Sequence, residues 1–449
     1  AGHEAGKLIT TGVRNTLIGG LAGDSITTGT DNVAVGYNAL SSIDSGARNI
    51  AIGFQALKSQ NVGGIAYNVA VGHKSGTNIT TGIYNTLIGG LTGDALSAGG
   101  SNTAIGKHAL STETGGYYNV AVGAGALETL NTNGAAYNTA IGYNASTSMT
   151  TGVQNTIIGG LAGDALTSGG NNIAIGYSAL SNADTDARNV AIGTRALEDQ
   201  NAGNNTYNTA VGYEAGKQVT TGTLNTLIGA QAGDALTTGE SNVAIGYRAL
   251  STEDEHGKNV AIGQDALLFQ NAGADAFNVA IGFEAGKSVT TGIENTIVGG
   301  LAGDALTTGT YNVAIGTYAL STEDTGGRST AIGYGTLTNQ NYDGSAYNTA
   351  IGYNAGNDIT SGVQNTIMGG LAGDALTTGQ YNTAIGYLAL STEDTGDQNV
   401  AIGRAALMTL NYDGDGNNVA VGNNAGASAT TAIQSTFIGA FSGDAVTTG

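Results

Sequence analysis

No cysteine, proline or tryptophan occurs among the 449 residues, and only 11% of them are charged. Without Cys there is no disulfide framework, no thiol nucleophile and no thiolate metal site. Without Pro, a β-ladder could run unbroken, because every residue brings a backbone N–H to it. Cationic side chains are scarce: 14 Lys and Arg stand against 34 Asp and Glu, for a net charge of −20. No basic stripe exists to neutralise phosphates, which argues against nucleic acid or an anionic membrane surface as partner. No apolar run is long enough to span a bilayer, so membrane insertion is not expected, and no signal peptide is visible.

What is present is a rhythm. The phrase Asn242-Val243-Ala244-Ile245-Gly246 recurs in 25 copies at spacings of 17, 17, 19 and 17 residues, giving a super-repeat of 70. The first position is Asn except at Ser329 and Ser435, the second Thr, Val or Ile, the fourth Ile or Val apart from Met368, and the fifth always Gly. The third is Ala in 18 copies and larger in seven, one per 70 residues, from Leu17 to Phe437. Gly in every copy and β-branched residues two apart oppose a helix and favour a strand.

A period of 17 or 19 is too short for a helix pair but fits one coil of a parallel β-solenoid. The expected fold is therefore all-β, a solenoid of about 25 coils forming one elongated domain over 1–449. Its super-repeats are 15–84, 85–154, 155–224, 225–294, 295–364 and 365–434, with partial coils at 1–14 and 435–449. Equivalent residues of successive coils should stack, so Asn32, Asn102, Asn172, Asn242, Asn312 and Asn382 become part of a ladder in which buried amides satisfy one another. Alternation puts the second and fourth positions on one face and the first, third and fifth on the other. The β-branched face is expected to be buried, and the small Asn/Ala/Gly face to admit a second chain at close range.

The third coil of each super-repeat carries two extra residues, and in five of the six it closes on an aromatic: Tyr67, Tyr137, Tyr207, Phe277 and Tyr347. Aromatic faces beside amides are what a glycan-binding surface needs, although Tyr also stacks on Tyr to cover a flank. This row is the candidate binding site, with a host-surface glycan or protein as its partner. The Asp column (Asp24, Asp94 and onward to Asp444) reads as turn residues, since one carboxylate per super-repeat cannot supply a calcium ion's six or more oxygens. The pairs Glu253/Asp254, Glu323/Asp324 and Glu393/Asp394 read as a solvated, mutually repelling edge. His3, His73, His108 and His256 share no metal-ligand spacing, and His3 and His73 fall into an aromatic column with Tyr143, Tyr213, Phe283 and Tyr353. No nucleophile, base and orienting acid converge. The expectation is no enzyme, no catalytic residue, no metal and no cofactor.

The stretch Asn242 to Ala249, Asn-Val-Ala-Ile-Gly-Tyr-Arg-Ala, resembles the Val-Ala-Ile-Gly-x-x-Ser head repeat of trimeric autotransporter adhesins, the YadA-like head. Similar coils occur in phage tail-fibre and virion structural proteins. The resemblance spans essentially the whole chain and implies a left-handed β-roll, a homotrimer and a role in attachment. The coils here are longer than that family's, and Ala often replaces the Ser. The functional expectation is a non-enzymatic fibre or shaft on a cell or virion surface, extracellular in setting. The alternative is a self-assembling extracellular filament whose subunits stack end to end. That alternative draws on Ala1 and Gly449, both of which align with mid-coil positions and so do not resemble caps.

Overall fold

The computed structural model describes residues 2–448. The fold is a parallel all-β solenoid of about 25 turns in which each copy of the repeated phrase forms one three-residue strand. Two compact units divide the chain, Ala1–Leu224 and Asn225–Gly449, and the division coincides with a super-repeat boundary. In the first unit, strands β1 (Thr16–Ile18) to β12 (Thr209–Val211) each pair in parallel with the next. In the second, β13 (Thr226–Ile228) to β25 (Thr436–Ile438) do the same. Register follows the phrase: Val243 lies opposite Thr226 and Val260, and Ala244 opposite Leu227 and Ala261.

Each coil bends at left-handed residues. In the coil opened by Asn242 these are Arg248, Leu250 and Lys258, with φ of 53°, 53° and 64°, and Gly246 at 137°. Gly246 has no alternative, because a Cβ there would lie 2.4 Å from the carbonyl oxygen of Gly263 in the next coil. Leu250 is a different case. Left-handed backbone costs a residue of its type about 1–2 kcal/mol, whereas full burial of a Leu side chain contributes about 1.5–3 kcal/mol. Leu250 is completely buried, so the packing outweighs the strain. The equivalent residues Leu40, Leu57, Leu110, Leu320 and Leu390 have the same conformation and burial.

Those Leu side chains fill the inside of the coil, and this decides which strand face points inward. The structure reverses the face assignment expected from alternation. The third position is buried: Ala244, Ala261, Ala314 and Ala401 have no exposed surface. Positions two and four are only partly covered, as with Val243 and Ile245, and reach the exposed class at Ile52, Ile105, Ile228 and Met368. The lumen opposite the Leu column has room for a methyl group. The small face is therefore interior and is not available to a second chain, while the Val/Ile columns face outward.

Asn fits the interior because it accepts in one direction and donates in another. Asn242 Oδ1 accepts the backbone N–H of Asn259 at 3.1 Å, Asn225 Oδ1 accepts that of Asn242 at 2.9 Å, and Asn242 Nδ2 donates to the His256 carbonyl at 3.2 Å. Asn32, Asn102, Asn172, Asn312 and Asn382 repeat this pattern, each donating to a carbonyl 14 residues ahead. Each also accepts a backbone N–H from the coil after it. The ladder runs mainly through the backbone, where the sequence suggested amide bonded to amide. The small column seven residues after the Asn, including Ala39, Ala56, Ser75 and Thr92, is buried between two left-handed corners.

Candidate functional site

Three features of the surface and lumen carry chemistry. The first is the aromatic row. Tyr67, Tyr137, Tyr207, Phe277 and Tyr347 all have φ between 51° and 54° and are 46–56% exposed. Each immediately precedes a ladder Asn, so the left-handed turn that drives the Asn inward swings the ring out onto the flank. Their neighbours along the column are other residues in the same position. Tyr67 has Arg48 over its ring at 5.4 Å and Tyr84 stacked at 5.9 Å. Tyr137 stacks on Tyr118 at 5.0 Å, and Tyr207, Phe277 and Tyr347 lie under Arg188, Lys258 and Arg328 at 5.2–5.8 Å. Such contacts are worth about 0.5–1 kcal/mol each at exposed sites. Column packing covers the ring of Tyr67 on both sides, so what it offers to solvent is mainly its edge. Beside Phe277 a shallow depression is lined by Phe277 and Glu294. His73 joins a second aromatic column, stacked on Phe54 at 5.3 Å, with Phe54 stacked on Tyr37 at 5.8 Å.

The second feature is the acidic turn, where the structure departs from the sequence reading. Glu113, Glu253, Glu323 and Glu393 are fully buried and do not form a solvated edge. Glu323 Oε1 accepts the Gly326 N–H at 2.7 Å, and its Oε2 accepts from Gln340 Nε2 at 2.9 Å and the Tyr342 N–H at 3.3 Å. Glu393 accepts the N–H groups of Gly396 and Tyr412. Where this column has Ala183, Asp186 three residues later is buried in its place and accepts the Ala202 N–H at 2.8 Å, the counterpart of Tyr342. Where it has Ile43, the Nε2 of Gln60 is left buried with no partner. Burial pushes Asp186, Glu253, Glu323 and Glu393 above the ordinary carboxylate range, and the backbone N–H bonds only partly oppose that. The signal missed in the sequence was Ile43 itself, since an apolar residue exchanging with Glu in one column marks an interior position.

The third feature is the only group of three convergent metal-ligand types among the described residues: Glu253, Asp254 and His256. Sequence spacing did not single it out, because the three residues belong to one tight turn. The Asp column is half-buried except at the exposed Asp444, and burial raises Asp94, Asp164, Asp304 and Asp374. Among the described residues no helix is long and apolar enough to cross a membrane.

Fold and site together define a parallel β-solenoid with a polar ladder inside and an apolar sheet face outside. Comparison of the sequence with protein-family models and with curated proteins gives no match.

Proposed function

We infer that this chain is a non-enzymatic structural shaft, carried on a cell or virion surface, that assembles through its outward Val/Ile columns into a parallel homotrimer. The observation that carries this is the strand face itself. Ile228, Ile245, Ile262 and Ile281 in the second unit, like Ile88, Ile105, Val122 and Ile141 in the first, form an uninterrupted apolar column on the outside of the coil. Contiguous apolar surface of this kind marks an interaction site. The repeat geometry makes it the same on every copy, as a symmetric assembly requires. The resemblance to adhesin heads supports three as the copy number and attachment as the purpose. A non-catalytic role is supported by the buried carboxylates, whose oxygens mostly hold backbone N–H groups and not a reacting centre.

Mass in solution tests this. Light scattering should return three times the chain mass of 44.3 kDa, and Ile245→Lys combined with Ile262→Lys should give single chains with unchanged circular dichroism. A monomer at every concentration would overturn the assembly. Micrographs of unbranched filaments would favour end-to-end stacking instead.

A further inference from the structure

The acidic turn of the coil opened by Asn242 differs from its counterparts at Glu255 and at His256, and the second difference has a structural consequence. Three residues after the column that carries the buried Glu, the equivalent coils have Gly46, Gly116, Asp186, Gly326 and Gly396, whereas this one has His256. Glu113 uses both carboxylate oxygens, accepting the Gly115 and Gly116 N–H groups on Oε1 and the Thr132 N–H and hydroxyl on Oε2. Glu323 likewise uses both. Glu253 is as deeply buried, yet its Oε1 accepts only the His256 N–H, at 3.2 Å, and its Oε2 has no partner. His256 Nδ1 is also buried without a partner and stands 3.7 Å from Glu253 Oε1, too far for a hydrogen bond. Asp254 completes the group. Its Oδ1 accepts the Glu255 N–H at 2.7 Å, and one ligand atom from each of the three residues lies within 4.8 Å of the others.

The backbone is opened at the same place. Gly327 and Asp397 donate their N–H to the carbonyls of Gly344 and Gly414 in the next coil, at 2.8 and 2.9 Å. Gly257, their equivalent, donates instead to the Asp275 carboxylate at 3.2 Å. Lys258, two residues after His256, is paired with that same Asp275.

We propose that Glu253, Asp254 and His256 bind one divalent first-row transition ion of the zinc class, which staples this turn where the backbone bridge is missing. A buried carboxylate oxygen and a buried imidazole nitrogen left unpaired are each costly. At 3.7 Å from Glu253 Oε1 the imidazole nitrogen makes no hydrogen bond to the carboxylate, but a cation held by that carboxylate and by Nδ1 satisfies both groups. The imidazole nitrogen selects zinc, cobalt or nickel over calcium or magnesium, which take oxygen alone. Three protein ligands leave the remaining position to water. The role is structural, and no reacting group faces the ion.

The test uses the full chain without a histidine tag, stripped with EDTA and titrated with ZnCl2 by calorimetry and with CoCl2 by visible absorption. The expected result is one ion per chain, a rise in melting temperature on addition of zinc, and reversal by EDTA. His256→Gly restores the residue of the sister coils and should fold normally while binding more than about 10-fold more weakly. Glu253→Gln should weaken binding similarly, and Glu393→Gln should leave it unchanged. X-ray absorption of the zinc-loaded wild type should show nitrogen and oxygen ligands, and this reads the site even if a variant misfolds. Absence of stoichiometric zinc or cobalt binding, or binding that survives His256→Gly and Glu253→Gln, would overturn the proposal.

Discussion

At the scale of one residue, the ladder Asn combines two bonds that neither Ala nor Asp could make in the same space. Ala lacks the acceptor for the next coil's N–H and the donor for the carbonyl 14 residues on. Asp lacks the donor. Removing the amide of Asn242 leaves the buried N–H of Asn259 and the half-buried carbonyl of His256 without those partners, and an unsatisfied buried polar group costs about 1–3 kcal/mol. Asn242→Ala should therefore destabilise the second unit by about 2–5 kcal/mol, read from urea unfolding. Because neighbours in a solenoid couple mainly to adjacent coils, hydrogen exchange should quicken first around β14 (Val243–Ile245) and β15 (Val260–Ile262). A loss below about 0.5 kcal/mol would mean that the ladder is ornamental. Gln60 shows the opposite imbalance. Its Nε2 is orphaned beside Ile43, and the same column has the fully buried Leu130 and Leu410 elsewhere. Gln60→Leu forfeits the 2.7 Å bond from Asn68 Nδ2, but that atom also donates to the Gly82 carbonyl at 2.7 Å. The substitution should raise stability by about 1 kcal/mol, measured the same way.

At the scale of the coil, stacking was legible in the sequence and the direction of the faces was not. Identical residues at a fixed phase can only become columns, and so the Asn and Gly positions announced themselves. Alternation states that two faces differ without stating which is inside. That depends on what fills the lumen, and the left-handed Leu corner, with Leu40 and Leu250 as examples, has no sequence signature as a corner because Leu seldom adopts that conformation. Volume exchange carried part of the signal: the coil with Leu17 at the third position has Gly23 at the corner and the coil with Ala34 has Leu40, although the coil with Ala70 has Gly76. The same blindness placed Glu323 and Glu393 at a solvated edge, since charge was weighed and column membership was not.

Their burial has a pH consequence. Glu323 and Glu393 have folded values raised by desolvation, so the folded state binds protons more readily than the unfolded one. Their contribution is fully present below the unfolded Glu value of about 4.3 and is lost as pH rises through the raised folded values. Asp94, Asp164, Asp304 and Asp374 act in the same sense. Opposing them, hydrogen bonds from Arg14 and Lys258 lower Asp31 and Asp275, but those pairs are open to water and are screened. The buried groups outweigh them. Melting temperature should rise as pH is lowered from 7 towards 4.5, and Glu323→Gln should flatten the rise. A melting temperature that falls monotonically over that interval would refute the assignment.

At the scale of the whole molecule, two features of the chain pull against each other: an apolar strand face that favours association and a net charge of −20 that opposes it. Three copies brought side by side repel over distances on the order of the screening length, about 30 Å at 0.01 M salt and about 8 Å at 0.15 M. The Val/Ile columns gain from burial at any ionic strength, about 25 cal/mol for each Å2 of apolar surface removed from water. Added salt therefore weakens only the opposing term. Association should strengthen from 0.01 to 0.5 M NaCl, visible in sedimentation velocity as a shift from single chains to the assembled species. An interface built on ion pairs would respond in reverse, dissociating as salt rises. Ile245→Lys with Ile262→Lys should abolish the shift, because each substitution places an ammonium group on the face that must become dry. If the wild type and this double variant sediment alike at every salt concentration, the outward columns are not where copies of this chain meet.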